Sequence, residues 1–228
     1  MEYRRKTIAV VLAGGVGARI GAGIPKQLIV VGGRPLLAYP LETFASHDRI
    51  DTVVVVMAEG FEDAAKTIFS GEVITGGSTR TASTLRALER FADEPDDTRI
   101  LFHDAARAFV DHGVIDRCLD ALDRDACVSV ALPVTDTIIA VSAGHVADAP
   151  PRDALARVQT PQGFRLGTLR RAYEKALADP GFVATDDCGV VHRYLPGVPV
   201  RVVEGDDRLV KITTPLDLVV AEHLAATR

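Results

Sequence analysis

The sequence has few cysteines, and they show no pattern of a disulfide framework or a zinc site. Its 228 residues include three, Cys118, Cys127 and Cys188, an odd number without a Cys-x-x-Cys spacing. A disulfide scaffold and a zinc knuckle are therefore excluded, and the residues fit a reducing cytoplasm. The six histidines lack ligand spacing, and neither a His-Glu-x-x-His nor a Gly-x-Ser-x-Gly motif is present. We therefore expect neither zinc-dependent hydrolysis nor covalent catalysis.

Long apolar runs and an excess of positive charge are also absent. The first apolar run, residues 8–13, ends at Gly14 and is shorter than the about 7–15 residues of a signal peptide. No stretch approaches the about 20 apolar residues of a membrane span. Lys and Arg number 26 against 31 Asp and Glu, a net charge of −5, whereas nucleic-acid binders are usually basic. We expect a soluble, cytoplasmic protein without a membrane or nucleic-acid partner.

Short, almost continuous apolar runs alternate with amphipathic segments along the chain. Strands buried on both faces show such runs, and they predict strands at residues 7–13, 52–57, 72–74, 99–103, 127–132 and 200–203. Helical spacing predicts helices at 36–46, 61–69, 79–92, 113–122, 168–178 and 215–226. This alternation predicts an α/β fold with a Rossmann-like, doubly wound and mainly parallel sheet. Ligands of such sheets bind at the carboxyl ends of the strands.

One segment interrupts this alternation. Residues 137–141 and 145–147 read as two short strands around a glycine-containing turn. An isolated hairpin is only marginally stable and usually needs a partner surface. The residues by themselves leave open whether this is a surface hairpin or a dimerisation arm.

A glycine-rich loop with two cations beyond it follows the first strand. The glycines are Gly14, Gly15 and Gly17, and the cations are Arg19 and Lys26. Such a turn lets backbone N–H groups approach phosphates. A dinucleotide fingerprint would need glycine where Ile20 stands, and the Gly-Lys-Ser/Thr of a Walker A loop is absent. The pattern favours a triphosphate that loses pyrophosphate over a glycine turn with solvated cations.

Three further groups of polar residues suit nucleotide and phosphate binding. Gly77, Ser78, Arg80 and Ser83 could read a base edge, although Ser78 or Thr79 could instead cap a helix. Asp104 lies at the carboxyl end of a predicted strand and suits Mg²⁺ on a nucleotide, although it could instead cap a helix and pair with Arg107. The third group can hold a second phosphate and comprises Arg152, Thr185 and Lys211.

These motifs together resemble the polyol-phosphate cytidylyltransferases, whose members act on 2-C-methyl-D-erythritol 4-phosphate or on ribitol 5-phosphate. The resemblance runs from about residue 7 to about residue 226. It rests on the glycine-rich loop with Arg19 and Pro25-Lys26-Gln27, Gly76-Gly77 with Arg80 and Ser83, His103-Asp104-Ala105-Ala106-Arg107, Asp136-Thr137, Gln159-Thr160-Pro161-Gln162, Thr185-Asp186 and Lys211-Ile212-Thr213. It implies the nucleotidyltransferase fold and an Mg²⁺-dependent transfer of CMP from CTP to a polyol phosphate, with release of pyrophosphate.

The resemblance also implies a role for each motif residue. Catalytic roles fall to Arg19, Lys26 and Lys211. Nucleotide binding falls to Ala13, Gly14, Gly15, Gly17, Gly77, Ser78, Arg80, Ser83, Asp104 and Ala105, with Asp104 also near the metal. Binding of the polyol phosphate falls to Arg107, Thr137, Arg152, Thr185 and Lys211. Family members dimerise by exchanging the hairpin, so we expect a single domain, 1–228, in which residues 134–158 form a dimerisation arm that serves the neighbouring site.

The sequence features that bear on the acceptor point in two directions. The glycine-rich loop begins Leu12-Ala13-Gly14-Gly15, a form commoner in the ribitol enzymes, and Cys188 also resembles that group. The segment 152–161 and the triplet Thr185-Asp186-Asp187 are similar to actinobacterial methylerythritol enzymes. We expect methylerythritol phosphate, which places the enzyme in isoprenoid biosynthesis. Ribitol 5-phosphate, which would give CDP-ribitol for cell-wall polymers, or another phosphorylated acceptor is the alternative.

Overall fold

The computed structural model describes residues 4–15 and 24–228. Its strands in this part of the chain are β1 (Thr7–Ala13), β2 (Val30–Val31), β3 (Arg34–Pro35), β4 (Thr52–Met57), β5 (Glu72–Thr75), β6 (Arg99–Asp104), β7 (Cys127–Pro133), β8 (Ala140–Ser142), β9 (His145–Asp148), β10 (Ala156–Arg165) and β11 (Arg201–Glu204). Its α-helices are α1 (Ala38–Ala45), α2 (Glu62–Ile68), α3 (Arg80–Arg90), α4 (His112–Leu122), α5 (Leu166–Leu177), α6 (Asp187–Tyr194) and α7 (Pro215–Ala226). None of these helices is long and apolar enough to cross a membrane.

A seven-stranded sheet forms the centre of the fold, in the order β11-β7-β10-β6-β1-β4-β5. Its strands are parallel except β10, which is antiparallel to both β6 and β7. The predicted α/β class and mainly parallel sheet are confirmed.

The residues of β1 explain why this sheet has a core on each face. Successive side chains of a strand point to opposite faces. Ile8 and Val10 pack into a core with helices α3, α5 and α6, whereas Ala9 and Val11 pack into a core with α1, α2 and α4. Every residue of β1 is buried, so apolar residues are needed at consecutive positions and the sequence shows a continuous run.

Strand β10 and helix α6 were not predicted. Pro161 lies inside β10, and proline in a sequence normally argues against a strand because it cannot donate to the ladder. The pairing of β10 with β7 shifts register between Val158 and Gln162, at this position. Helix α6 is only eight residues long and includes Gly189, which weakens any helical signal.

The predicted hairpin is present, with somewhat different strand limits. Strands β8 and β9 pair antiparallel, and the turn contains Ala143 and Gly144, both with positive φ. Thr137 lies before β8 rather than within it. The hairpin is solvent-exposed along its whole length in the single chain, and its role in dimerisation stays a prediction.

The strand order creates a crevice at the carboxyl ends of β1 and β6. From β1 the chain continues through β4 and β5 toward one edge, then returns to place β6 on the other side of β1. Such a reversal is where ligands bind in open α/β sheets. Leu12 of β1 lies opposite Asp104 of β6 in the register, so the glycine-rich loop and Asp104 leave the sheet side by side.

Candidate active site

A cavity of about 430 Å³ opens at this crevice. That volume is in the range of small-molecule sites. Its walls come from loops that follow four parallel strands, β1, β4, β5 and β6, and from the segment around Lys211. Predicted site residues that line it are Gly14, Gly15, Lys26, Gly77, Ser78, Arg80, Ser83, Asp104 and Lys211.

Small residues and one hydroxyl form the wall after β5. The backbone N–H of Gly77 donates to Ser83 Oγ at 3.1 Å. A Cβ added at Gly14 or Gly76 would come within 3.1 or 3.0 Å of that same oxygen, and one at Gly77 would overlap Ala82. The glycines therefore allow two loops to approach the buried Ser83 closely. Thr79, not Ser78, caps helix α3 by accepting from Ala82 N at 3.0 Å, which leaves Ser78 to the cavity.

Asp104 connects two cations in the cavity wall. Its Oδ1 accepts from Arg80 Nε at 3.1 Å and its Oδ2 accepts from Lys211 Nζ at 2.7 Å. Burial works against ionisation of this carboxyl group, but the charges of Arg80 and Lys211 outweigh it and hold the pKa of Asp104 well below its usual range. The carboxylate is therefore ionised at neutral pH. The ion pair with Arg107 that the sequence left open is not formed, because Arg107 binds elsewhere.

Lys26 reaches the same region from the other side. Its Nζ donates to the carbonyl oxygen of Ile212 at 2.9 Å, directly beside Lys211. Lys26 opens a single 3₁₀ turn after the glycine-rich loop. Lys26 and Lys211 thus both line the cavity, although they are far apart in the sequence.

A chain of hydrogen bonds supports the backbone of Asp104. Its N–H donates to Thr160 Oγ1 at 3.1 Å, and that hydroxyl lies 3.1 Å from His103 Nδ1. His103 Nε2 lies 3.0 Å from the Arg107 carbonyl oxygen, which can only accept. Nε2 therefore carries the proton, and Nδ1 accepts from the threonine. Burial lowers the pKa of His103 to about 4, so the ring is neutral.

Arg107 binds two backbone segments rather than the cavity. Its Nη1 and Nη2 donate to the carbonyl oxygens of Leu209 and Val158, at 2.7 and 3.0 Å, and Arg107 is not among the described residues that line the cavity. Two other predicted nucleotide-binding residues, Ala13 and Ala105, are fully buried and are not among the described residues that line the cavity. Their contribution to nucleotide binding stays a prediction.

Other predicted residues lie away from the cavity or outside the described residues. Thr137 and Arg152 are exposed at the two sides of the hairpin, where Arg152 Nη1 donates to the Thr135 carbonyl at 3.2 Å. Thr185 is exposed just before helix α6. Arg19 and Gly17 lie outside the described residues.

The cavity wall also contains residues to which the sequence motifs gave no role, among them Gln27 and Glu59. Gln27 is buried, and its side-chain oxygen has no hydrogen-bond partner among the described residues. The sequence signal that could have identified Gln27 as a cavity residue is its place directly after Lys26. Glu59 follows β4, and nothing in its sequence context distinguishes it from an ordinary surface glutamate.

Asp104 fits a divalent cation held jointly with a nucleotide. Within the described residues there is no group of three or more His, Cys, Asp and Glu side chains that could hold a metal ion by themselves. Mg²⁺ on a nucleotide takes one or two carboxylates and phosphate oxygens. Asp104 is ionised and lines the cavity, and each of its oxygens accepts one hydrogen bond from the side chains that the structure describes, which leaves lone pairs for a metal.

Comparison with known families agrees with this geometry. The family model for 2-C-methyl-D-erythritol 4-phosphate cytidylyltransferase, IspD, matches residues 7–226. The chain belongs to this family. It is therefore a nucleotidyltransferase of the cytidylyltransferase class, as the motifs predicted.

Individual relatives cover nearly the whole chain. The 2-C-methyl-D-erythritol 4-phosphate cytidylyltransferase of Thermobifida fusca is 44% identical over 236 residues, which covers 98% of this chain and 95% of that protein. A crystal structure of 4-diphosphocytidyl-2C-methyl-D-erythritol synthase from Anaerococcus prevotii aligns with a TM-score of 0.85 at 30% identity, covering 99% and 100% of the two chains. A bifunctional ribulose 5-phosphate reductase/CDP-ribitol pyrophosphorylase of Haemophilus influenzae is 37% identical over 99% of this chain and 49% of its own length.

Proposed function

We propose that the chain transfers CMP from CTP to 2-C-methyl-D-erythritol 4-phosphate, giving CDP-methylerythritol and pyrophosphate for isoprenoid biosynthesis. The observation that carries this proposal is the convergence of Lys26, Lys211 and Arg80 with a glycine-rich loop at one cavity, in a chain of this family. Cations and backbone N–H groups at such a crevice are the donors that a triphosphate needs.

The reaction needs no general base from the protein. A phosphate monoester has a second pKa of about 6, so its oxygen is largely deprotonated at neutral pH. That oxygen attacks the α-phosphorus of CTP, a new P–O bond forms, and the bond to the bridging oxygen of pyrophosphate breaks. The chain has to hold two anions together and to stabilise the charge that develops on the transferring group.

Each lysine has a separate part in this scheme. Lys26, beside the glycine-rich loop, would bind the triphosphate together with Arg19. Lys211 would bind the acceptor phosphate, and its ion pair with Asp104 at 2.7 Å would set its position between the two substrates. Ser78, Ser83 and the backbone at Gly77 would contact the cytosine.

Asp104 would hold Mg²⁺ together with phosphate oxygens of CTP. When bound, the ion supplies charge neutralisation and orientation of the triphosphate. Asp104 is the described carboxylate best suited to this task, because Arg80 and Lys211 keep it ionised within the wall of the cavity.

The hairpin would complete the site in a homodimer. We propose that residues 134–158 form an exchanged arm, so that Thr137 and Arg152 reach the partner subunit's cavity. Two observations support this arrangement. Thr137 and Arg152 lie away from the cavity of their own chain, and the apolar side chains of Ile138, Ile139 and Val141 are exposed.

The free cysteines are buried, which is compatible with a cytoplasmic location.

The two sequence features that resemble the ribitol enzymes, Cys188 and the start of the glycine-rich loop, do not lie where we place the acceptor. Cys188 is buried in the core, 3.8 Å from Cys127 Sγ and 3.4 Å from the Val128 carbonyl, so its thiol faces no substrate. Leu12, Gly14 and Gly15 line the cavity beside Ser83 and Lys26, where we place the nucleotide. We therefore favour methylerythritol phosphate.

A pyrophosphate-release assay with Mg²⁺ tests this proposal. CTP, UTP, ATP and GTP are each paired with methylerythritol phosphate and with ribitol 5-phosphate. We expect release with CTP and methylerythritol phosphate, and much lower kcat/KM for every other pair. A preference for ribitol 5-phosphate would replace the acceptor, and no release with either CTP pair would refute the proposed reaction.

A further inference from the structure

Asp187 is a fully buried carboxylate, 0% exposed, behind the wall of the cavity. It is the first residue of α6, and its backbone N–H donates to the side-chain oxygen of Gln162 on β10 at 3.1 Å. The side-chain amide of Gln162 also donates to Asp186 at 2.7 Å. Gln162 thereby fixes the first turn of α6 against the sheet, and with it the position of Asp187.

Three donors from the described part of the chain surround this carboxylate. Oδ1 accepts from Tyr173 Oη at 2.6 Å and from Thr84 Oγ1 at 3.0 Å, and Oδ2 accepts from Arg80 Nη1 at 2.6 Å. Tyr173 and Thr84 are themselves buried. A buried carboxylate is tolerated only when it is paired and hydrogen-bonded, and Asp187 meets both conditions.

The guanidinium of Arg80 lies between two aspartates. Asp187 holds Nη1 from inside the protein, while Asp104 holds Nε at 3.1 Å at the cavity wall. The remaining nitrogen, Nη2, is buried and has no hydrogen-bond partner among the described residues. Among these residues, the two carboxylates alone therefore orient the guanidinium.

We propose that Asp187 is a positioning residue for the nucleotide, acting through Arg80 on Asp104. Asp187, Arg80, Asp104 and Lys211 form a row of alternating charges that runs from the core to the cavity. Without the inner carboxylate, Arg80 keeps, among the described residues, its contact with Asp104 alone and pulls that side chain from the position at which it serves CTP. The inference rests on the proposed function, because it assigns Asp187 to the CTP side of that reaction.

The test is Asp187→Asn, which keeps the shape of the side chain and removes its charge. CTP binding is measured by calorimetry without acceptor, and KM for each substrate is measured at saturation of the other. We expect CTP affinity to fall about tenfold to a hundredfold, in the range found when groups that orient ligand-binding residues are removed. KM for the polyol phosphate should rise less than the dissociation constant of CTP, because the displacement reaches Lys211 indirectly, through its ion pair with Asp104.

Asp179→Asn is the matched control. Asp179 also accepts from one arginine and one tyrosine, Arg193 at 3.0 Å and Tyr194 at 2.6 Å, but it is not among the described residues that line the cavity. The Asp179→Asn substitution should therefore leave CTP binding unchanged. If Asp187 acts through Arg80, then Asp187→Asn should weaken CTP binding no further in an Arg80→Gln background.

Tyr173→Phe keeps the carboxylate and removes one hydrogen bond, and it serves if Asp187→Asn does not fold. We expect CTP affinity to fall several-fold in this variant. The proposal is overturned if CTP affinity is unchanged in the folded variant, if kcat falls with both KM values unchanged, or if the effects of Asp187→Asn and Arg80→Gln add. Failure of the wild-type chain to bind CTP would instead refute the proposed function itself.

Discussion

His103 illustrates at the residue scale how burial selects one protonation state. The ring is fully buried, donates from Nε2 to the Arg107 carbonyl and accepts at Nδ1 from Thr160. A protonated ring would place a second N–H against the threonine hydroxyl, whose hydrogen already points toward Nδ1. The neutral ring therefore supports the backbone of Asp104 through Thr160 and does not act as an acid or base.

This arrangement predicts a loss of stability in mild acid. The pKa of His103 is about 4 in the folded chain, below the usual 6.5, so the unfolded chain binds more protons between these values. Stability from this residue is complete above about pH 6.5 and decreases as pH falls toward 4, by about 2 kcal/mol at pH 5. Urea unfolding at a series of pH values between 7.5 and 4.5 measures this decrease in the free energy of unfolding.

A His103→Gln variant provides the comparison. It should be less stable at pH 7.5 and should lose less stability on acidification than the wild-type chain. His223→Gln, at an exposed position of α7, is the control and should retain the wild-type slope. Equal slopes for wild type and His103→Gln would contradict the assignment.

At the scale of elements, the loop between β5 and α3 is shaped by close packing rather than by unusual backbone angles. Gly77 lies against Ala82, so any Cβ would overlap the first turn of α3. The same turn carries Arg80 and Ser83, which line the cavity. A displacement of this loop would therefore move groups on the side that we assign to the nucleotide.

Gly77→Ala is expected to weaken CTP binding and to destabilise the fold. Overpacking of this kind costs about 1–3 kcal/mol, measured by thermal or urea unfolding, and CTP calorimetry measures the affinity. Gly197→Ala is the matched control, because a Cβ there has nothing within 4 Å. Wild-type CTP affinity in Gly77→Ala would show that the loop can move without cost to the site.

At the scale of the whole molecule, the net charge of −5 conceals a local concentration of cations. Lys26, Arg80 and Lys211 line one cavity, with Asp104 and Glu59 as the described acidic residues of its wall. The cations outnumber the acidic groups among the described residues of this wall, and an excess of one sign of charge in a cleft raises the local concentration of oppositely charged ligands. We therefore expect the cavity to attract the two anionic substrates of the proposed reaction, although the protein is acidic overall.

Arm exchange predicts that two inactive variants restore activity when mixed. Lys26→Ala and Arg152→Ala should each lose at least about a hundredfold in turnover, as expected when a charge-stabilising donor is removed. In a mixed dimer, the Arg152→Ala chain keeps its native Lys26 and receives the arm of the Lys26→Ala chain, which carries the native Arg152. One of the two sites is therefore complete. After subunit exchange, an equal mixture should recover about a quarter of wild-type activity.

The same mixture distinguishes exchange from a site built within one chain. If Arg152 served its own subunit, each subunit of the mixed dimer would carry one defect, and activity would stay at the level of the single variants. Light scattering on both variants before mixing checks that they remain dimers. A monomeric wild-type chain would contradict the arm assignment.

The sequence by itself determined the class of the fold and most of the cavity wall. Strands covered on both faces need consecutive apolar residues, so β1 and β4 were predicted with their observed limits. Loops after parallel strands meet at one edge, which brought Gly14, Gly77 and Asp104 together in the prediction. These inferences succeeded because burial periodicity and turn chemistry are local properties of the chain.

Only the tertiary structure decided how the charges pair. Asp104 is 24 residues from Arg80 and 107 from Lys211, whereas the ion-pair partner that the sequence suggested was Arg107, three residues away. Packing directs Arg107 toward backbone carbonyls instead and places Asp187 behind Arg80. Pairing of buried charges depends on which side chains the folded core brings within hydrogen-bond reach, and no periodicity in the sequence encodes that distance.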